Sequence, residues 1–380
     1  MTTQRLYYEQ PYLNEFDAQV VSCDKVQDGF AVILNKTAFY PEGGGQSCDF
    51  GTLGGANVLD VQIADDEIVH LCDKPLSGTV CGRLDWARRF DLMQQHSGEH
   101  LVSGLVHRKF GYHNVGFHMG ADVITIDFDG MIDPDSLSEI EQKANESVWA
   151  NLETEIFCPD EQTLKTLSYR SKKPLSGWVR LVRFPGIDLC ACCGTHVART
   201  GEIGLIKLLS CVKFHEGVRI EMVCGKRAFA YLSSVWEQNR RISGLLSAKP
   251  LETAQEVARV LDETARIKYR MNGLQDEIFT IKAESYRGAE KVVLFEDGMT
   301  PDNVRKLCTA CMDNTPGLCA VFSGADGDYK YCIGQENGDV RELVKRFNEL
   351  CCGRGGGKPS MAQGSCAAVR SEIDAFFEIL

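Results

Sequence analysis

The chain has 380 residues, 41 basic against 53 acidic side chains (formal net charge −12), 44% hydrophobic and 25% charged. Those proportions suit a soluble globular protein of roughly two to three domains, and no run nears the ~18 uninterrupted apolar residues of a membrane span. The acidic balance argues against indiscriminate coating of nucleic acid, because phosphate binding runs on local positive charge.

Residues 1 to about 85 read as all-β. Short apolar or alternating runs such as GFAVILN and EIVHLC are separated by Asp, Gly and Asn turns, which suggests a small barrel. Within it, TAFYPEGGGQ (37–46) sets three glycines in a row. Such a run is either a sharp corner or a close backbone approach to a ligand. The N-terminal stretch has no apolar signal region, so a cytoplasmic protein is expected. The 17 scattered cysteines then read as reduced thiols rather than a disulfide framework.

A helical pattern starts at Asp85, with Trp86, Phe90, Met93, Leu101 and Leu105 as its apolar stripe and Gly111 as C-cap. In its middle lie His96 and His100, spaced to share one helix face. A strand and a helix over about 134–151, with a capping box at Ser136–Glu139, follow. Residues 165–183 then carry Lys165, Arg170, Lys172, Lys173, Arg180 and Arg183 with no acid, interleaved with Tyr169 and Trp178. A solvated face and a phosphate track are both open readings. Next comes CCGTH, whose Cys192 and His196 form a second ligand pair, with Cys190 and Cys193 as rival thiols.

A lone HxxxH is more often a helix surface, but two pairs of complementary type among eight histidines point to zinc. A zincin is excluded, because Ser97 rather than Glu follows His96. Four protein ligands mark a structural site as a rule, so catalysis needs a labile ligand or an expanded coordination.

Residues 226–290 read as helical with a break at Lys249-Pro250 and Ser247 as a cap. Val257, Val260, Thr264, Ile267, Met271, Leu274, Ile278 and Ile281 repeat as a heptad seam. The seam serves either an αα-hairpin packing on itself or a homodimer through the helix at 250–286. From 291 the pattern alternates strand and helix as a small α/β domain, in which Gly353, Gly355, Gly356 and Gly357 with Arg354 and Lys358 suggest an anion nest. The fold class expected is α+β, with boundaries at 1–85, 86–225, 226–290 and 291–380.

In this order, TAFYPEGGGQ, HSGEHL, CCGTHV and GRGGGKPSMAQG resemble the signatures of the alanyl-tRNA editing proteins called AlaX, relatives of the editing domain of alanyl-tRNA synthetase. The resemblance covers nearly the whole chain. It is to the long form, which implies a barrel, a zinc editing domain, a helical or coiled-coil segment and a C-terminal DHH-associated domain. It implies zinc on His96, His100, Cys192 and His196, where Cys192 keeps the C-x-x-x-H spacing. It further implies Thr37 as the hydroxyl that senses serine, and a pocket for the acylated adenosine lined by Gly43, Gly44, Gly45 and Gln46. His118, in GFHMG, would face the substrate as a proton acceptor. Lys172, Lys173, Arg354 and Lys358 would hold tRNA. The activity implied is hydrolysis of serine, with glycine as a second substrate, from alanine tRNA. The rival reading is a non-catalytic, zinc-stabilised RNA-binding protein.

Overall fold

A computed structural model describes residues 3–171, 175 and 177–380, in two compact units, Met1–Arg241 and Ile242–Leu380. In the first unit six strands close a barrel in the order Glu15–Val26, Gly29–Leu34, Glu67–Cys72, Ala56–Ala64, Gly51–Leu53 and Thr79–Leu84. Their alternation sends Val32, Leu34, Leu53, Val61, Ile68 and Cys72 inward as one core. His70 is buried among them.

A buried ion pair ties the barrel's glycine-rich loop to helix Trp86–Phe110. Arg89 Nε lies 3.0 Å from both oxygens of Asp49, and its Nη1 reaches Pro11 O at 2.8 Å. Asp49 in turn accepts from Tyr40 N at 2.6 Å. The helix starts at Asp85, whose side chain accepts from Arg88 N, and stops at Gly111 with φ 75°. Between them it is buried nearly all round, so its polar residues find partners inside. Gln95 exchanges two hydrogen bonds with the backbone of Cys224 at 2.8 and 3.0 Å. An amphipathic stripe describes only its ends.

Around this helix lie two sheets. One is antiparallel and orders Ile206–Phe214, Gly217–Cys224, Ile124–Phe128 and Asn114–Met119; the other orders Glu155–Phe157, Leu181–Phe184 and Asp188–Ala191. Helix Pro134–Trp149 closes the core, capped by Asp133 rather than by the Ser136–Glu139 box, because Pro134 takes the first helical position. Helix Gly225–Leu246 follows.

The second unit holds helix Thr253–Glu284 and a five-stranded sheet ordered Lys291–Glu296, Leu318–Ala325, Asp328–Gly334, Met361–Cys366 and Gly353–Lys358. The break between the helices falls where expected, but Ser247 does not cap the second one; Glu252 precedes it without a side-chain cap. Of the seam, Ile267, Met271, Leu274, Ile278 and Ile281 are exposed in the single chain. The glycine run is a correction. Gly353–Lys358 is an edge strand paired antiparallel with Met361–Cys366, from Gly353↔Cys366 to Lys358↔Met361. Its extended backbone spends amides on the ladder and lacks the curled conformation of an anion nest. No helix of the described residues is long and apolar enough to cross a membrane.

Candidate metal centre and cavity

His96 and His100 stand one turn apart on helix Trp86–Phe110, and the turn after strand Asp188–Ala191 brings Cys192 and His196 to them. One donor atom from each of the four lies within 4.8 Å of all the others. Cys192 Sγ is 3.5 Å from His96 Nε2 and 3.3 Å from His196 Nε2. The approach needs a glycine at 194, where an added Cβ would sit 2.1 Å from His96 Cε1.

Each ring is fixed through its far nitrogen, which leaves Nε2 for the centre. His96 Nδ1 meets Gln46 Oε1 at 3.0 Å, His100 Nδ1 meets Asp188 Oδ2 at 2.9 Å, and His196 Nδ1 meets Ser97 Oγ at 3.2 Å. Asp188 is itself gripped by Arg170 through Nε and Nη2, both at 2.7 Å. Burial alone would raise the Asp188 carboxyl, but Arg170 and His100 hold it down at about 2. Burial likewise opposes a Cys192 thiolate, and the surrounding imidazoles outweigh it, holding this thiol well below the ordinary range. Cys190 groups instead with His100 and Asp188; Cys193 is exposed.

Beside the cluster opens a cavity of about 620 Å³, whose wall includes Gly44, Glu99, Asn114, Phe117, Trp178 and Arg180. Phe117 stacks on His96 with ring centroids 5.4 Å apart. The backbone of Gly45 packs against that phenylalanine, and a Cβ there would lie 2.7 Å from Phe117 Cδ1. Arg180 is 3% exposed, donates through Nη1 to Cys192 O and Gly194 O, and has Nη2 buried without a partner.

Several expected site residues lie elsewhere. Thr37 is fully buried in the barrel, where Phe39 N donates to its hydroxyl at 3.1 Å and His70 Nε2 lies 2.8 Å away. His70 Nδ1 donates to Val32 O, so Nε2 accepts from Thr37, whose hydroxyl is committed inside. Gln46 is also fully buried and acts on His96 and Thr195, not on the cavity. His118 is exposed on strand Asn114–Met119. Successive strand residues point to opposite faces, so it is Phe117 that reaches the cavity and His118 that turns away. Of the glycines, Gly44 lines the cavity while Gly43 and Gln46 bridge each other.

Three of the described cations of the basic run have acidic partners. Lys165 pairs with Glu161, Arg170 with Asp188 and Arg183 with Glu155, while Lys172 and Lys173 lie outside the described residues. Arg354 and Lys358 are exposed on the edge strand of the second unit. Asp188 and Asn114 have no motif to mark them and are brought to the centre by the fold, while Ser97 and Glu99 lie inside HSGEHL and Arg170 inside the basic run without their roles being legible there.

Residues 179–242 match the family described as "Threonyl and Alanyl tRNA synthetase second additional domain", and residues 288–380 match the DHHA1 domain. An alanine–tRNA ligase of Ignicoccus hospitalis is 32% identical over 98% of this chain, which spans 42% of the ligase's length. The alanyl-tRNA editing protein AlaX-L of Pyrococcus horikoshii is 28% identical over 97% of this chain and 96% of its own length. An alanyl-tRNA editing protein of Danio rerio is 27% identical over 97% of this chain and 95% of its own. Both domains are present in this order, and the chain is similar from end to end to these two alanyl-tRNA editing proteins.

Proposed function

We propose that the protein hydrolyses the ester joining a wrong amino acid, serine above all, to the terminal ribose of alanine tRNA. Zinc is the ion that His96, His100, Cys192 and His196 would hold. Three imidazoles and a thiolate suit it, and tetrahedral bonds at ~2.0–2.3 Å set nitrogen and sulfur roughly 3.6 Å apart, close to the 3.3 and 3.5 Å between Cys192 Sγ and the two imidazoles. The observation that carries a catalytic rather than a purely structural reading is the cavity reaching His96, His100 and Cys192; a closed structural site has no use for one.

Zinc in such a set would polarise a carbonyl and bring the pKa of water toward ~7. The protein's own part is orientation. Gln46 and Asp188 hold His96 and His100 in the ligating tautomer, and Arg170 keeps Asp188 charged. Arg180 Nη2 offers a buried donor to a phosphate or ribose oxygen at the acceptor end, and Trp178 and Phe117 offer faces to a base. Rejection of alanine demands a site that must hydrogen-bond the serine hydroxyl, and Thr37 is already occupied with His70.

Purified protein of measured metal content, given seryl-, glycyl- and alanyl-tRNA on the same alanine tRNA, tests this reading. Serine should be released at least ~10²-fold faster than alanine. Equal rates on all three, at the level of uncatalysed hydrolysis, would leave the zinc-stabilised RNA-binding protein as the better account.

A further inference from the structure

Two acceptor atoms on the cavity wall lack donors. Glu99 is 4% exposed and is the only carboxylate among the described residues lining the cavity. Its Oε1 accepts from Ser103 Oγ and from Asn114 Nδ2, the latter at 2.7 Å. Its Oε2 takes no hydrogen bond from a described residue and lies 3.9 Å from His100 Nε2, beside the candidate metal centre. Next to it, Asn114 Oδ1 is buried and without a partner. The amide cannot be reversed to relieve this, because its oxygen would then face Glu99 Oε1. Arg170, on the same wall, is committed to Asp188 through two nitrogens.

A carboxylate oxygen on the cavity wall that takes no donor, beside a buried amide oxygen without a partner, leaves acceptor capacity unused in the free protein. A cationic group with several N–H donors would satisfy the pair at once. An aminoacyl ester carries such a group: its α-ammonium sits one carbon from the carbonyl that must approach the metal ligands. We propose that Glu99 Oε2 and Asn114 Oδ1 form the subsite for the α-ammonium of the aminoacyl group. The proposal rests on the reading that the substrate is an aminoacyl-tRNA. It adds that the protein distinguishes a free amino acid ester from one whose nitrogen is blocked.

The test compares wild type with Glu99→Gln, which keeps the side chain's size and removes its charge. Two substrates share one alanine tRNA: seryl-tRNA and N-acetylseryl-tRNA. In parallel, calorimetry measures binding of a seryl-amide of amino-deoxyadenosine, which has no ester to cleave, and of its counterpart lacking the α-amino group. Wild type should favour the free amine by about 10²-fold in kcat/KM and in affinity, the worth of a charge-assisted contact in a buried site. Glu99→Gln should lose that preference while N-acetylseryl-tRNA changes less than about threefold, with metal content equal to wild type. Asn114→Leu should reduce the same preference by about tenfold, and carries the test if Glu99→Gln does not fold. A preference for the amine that survives both substitutions overturns the proposal. So does an equal loss on both substrates, which would place Glu99 at the attacking water. Absence of hydrolysis by wild type on every tRNA would defeat the functional reading instead, and calorimetry would still report on the subsite.

Discussion

Gln46 Oε1 lies 3.0 Å from His96 Nδ1 and also accepts from Thr195 N at 3.1 Å, so one buried amide joins the barrel's glycine-rich loop to both halves of the candidate metal centre. Gln46 therefore bears on the centre through a ligand's orientation, while Gly44 of the same loop lines the cavity. Gln46→Leu removes the acceptor and frees His96 to rotate. Affinity for zinc should fall about 10–100-fold, measured by competition with a chelator while far-ultraviolet circular dichroism stays unchanged. Unaltered affinity would make the contact incidental.

Thr37 offers a second test of that loop. Thr37→Val leaves His70 Nε2 buried without a donor, at a cost of about 1–3 kcal/mol in stability. Because the hydroxyl is turned into the barrel, the ratio of seryl- to glycyl-tRNA hydrolysis should hold. A selective loss on serine would show that Thr37 reaches the substrate after all.

The same histidine predicts a pH dependence. Burial lowers His70 from the usual 6.5 to about 4, against the pull of Val32 O. The unfolded chain therefore takes up this proton near pH 6.5 and the folded chain only near 4. Stability present above pH 6.5 is lost as pH falls through that window, by up to about 3 kcal/mol. Urea unfolding at pH 7 and pH 4.5 should show a smaller difference in His70→Gln than in wild type.

Arg89 and Asp49 are a buried pair, at most 1% exposed at their side chains. Arg89→Met leaves the Asp49 carboxylate with Tyr40 N as its remaining donor, strips Pro11 O and Ala38 O of theirs, and should cost about 3–5 kcal/mol. The double variant Arg89→Met with Asp49→Leu should recover most of it. Chemical denaturation distinguishes a recovery from two additive losses.

How far the residues foretold this arrangement depends on distance along the chain. Helix Trp86–Phe110 is legible from Asp85 and Gly111, which act within one turn. The pairing of His96 with His100 follows from helix geometry alone. Asp188 and Arg170 are not legible, because they meet only through the bridge of Arg170 with Cys190 and the register Arg183↔Leu189. His118 misleads for a different reason. In Asn114–Met119, with Val115 exposed and Phe117 half-buried, no clean alternation tells which face is inward. The run at Gly353–Lys358 misleads because glycine tolerates a turn and a strand alike, and the partner strand decides.

We propose that the exposed seam from Val257 to Ile281 is a contact between two copies of the chain. Leu274→Glu with Ile278→Glu should convert a dimer to a monomer in sedimentation without changing metal content. Wild type that already sediments as a monomer would end that reading. Arg354→Gln with Lys358→Gln should shallow the salt dependence of tRNA binding by roughly 0.7 per lost phosphate contact.

Cleavage of mischarged tRNA by the ligand cluster beside the cavity is the proposed activity. Its most direct test is the rate of serine release from seryl-tRNA by wild type and by His100→Ala at equal protein concentration. The account predicts rapid release by wild type and a fall of at least ~10³-fold in the variant, with the second unit still folded. Release at the same rate by both proteins would contradict it.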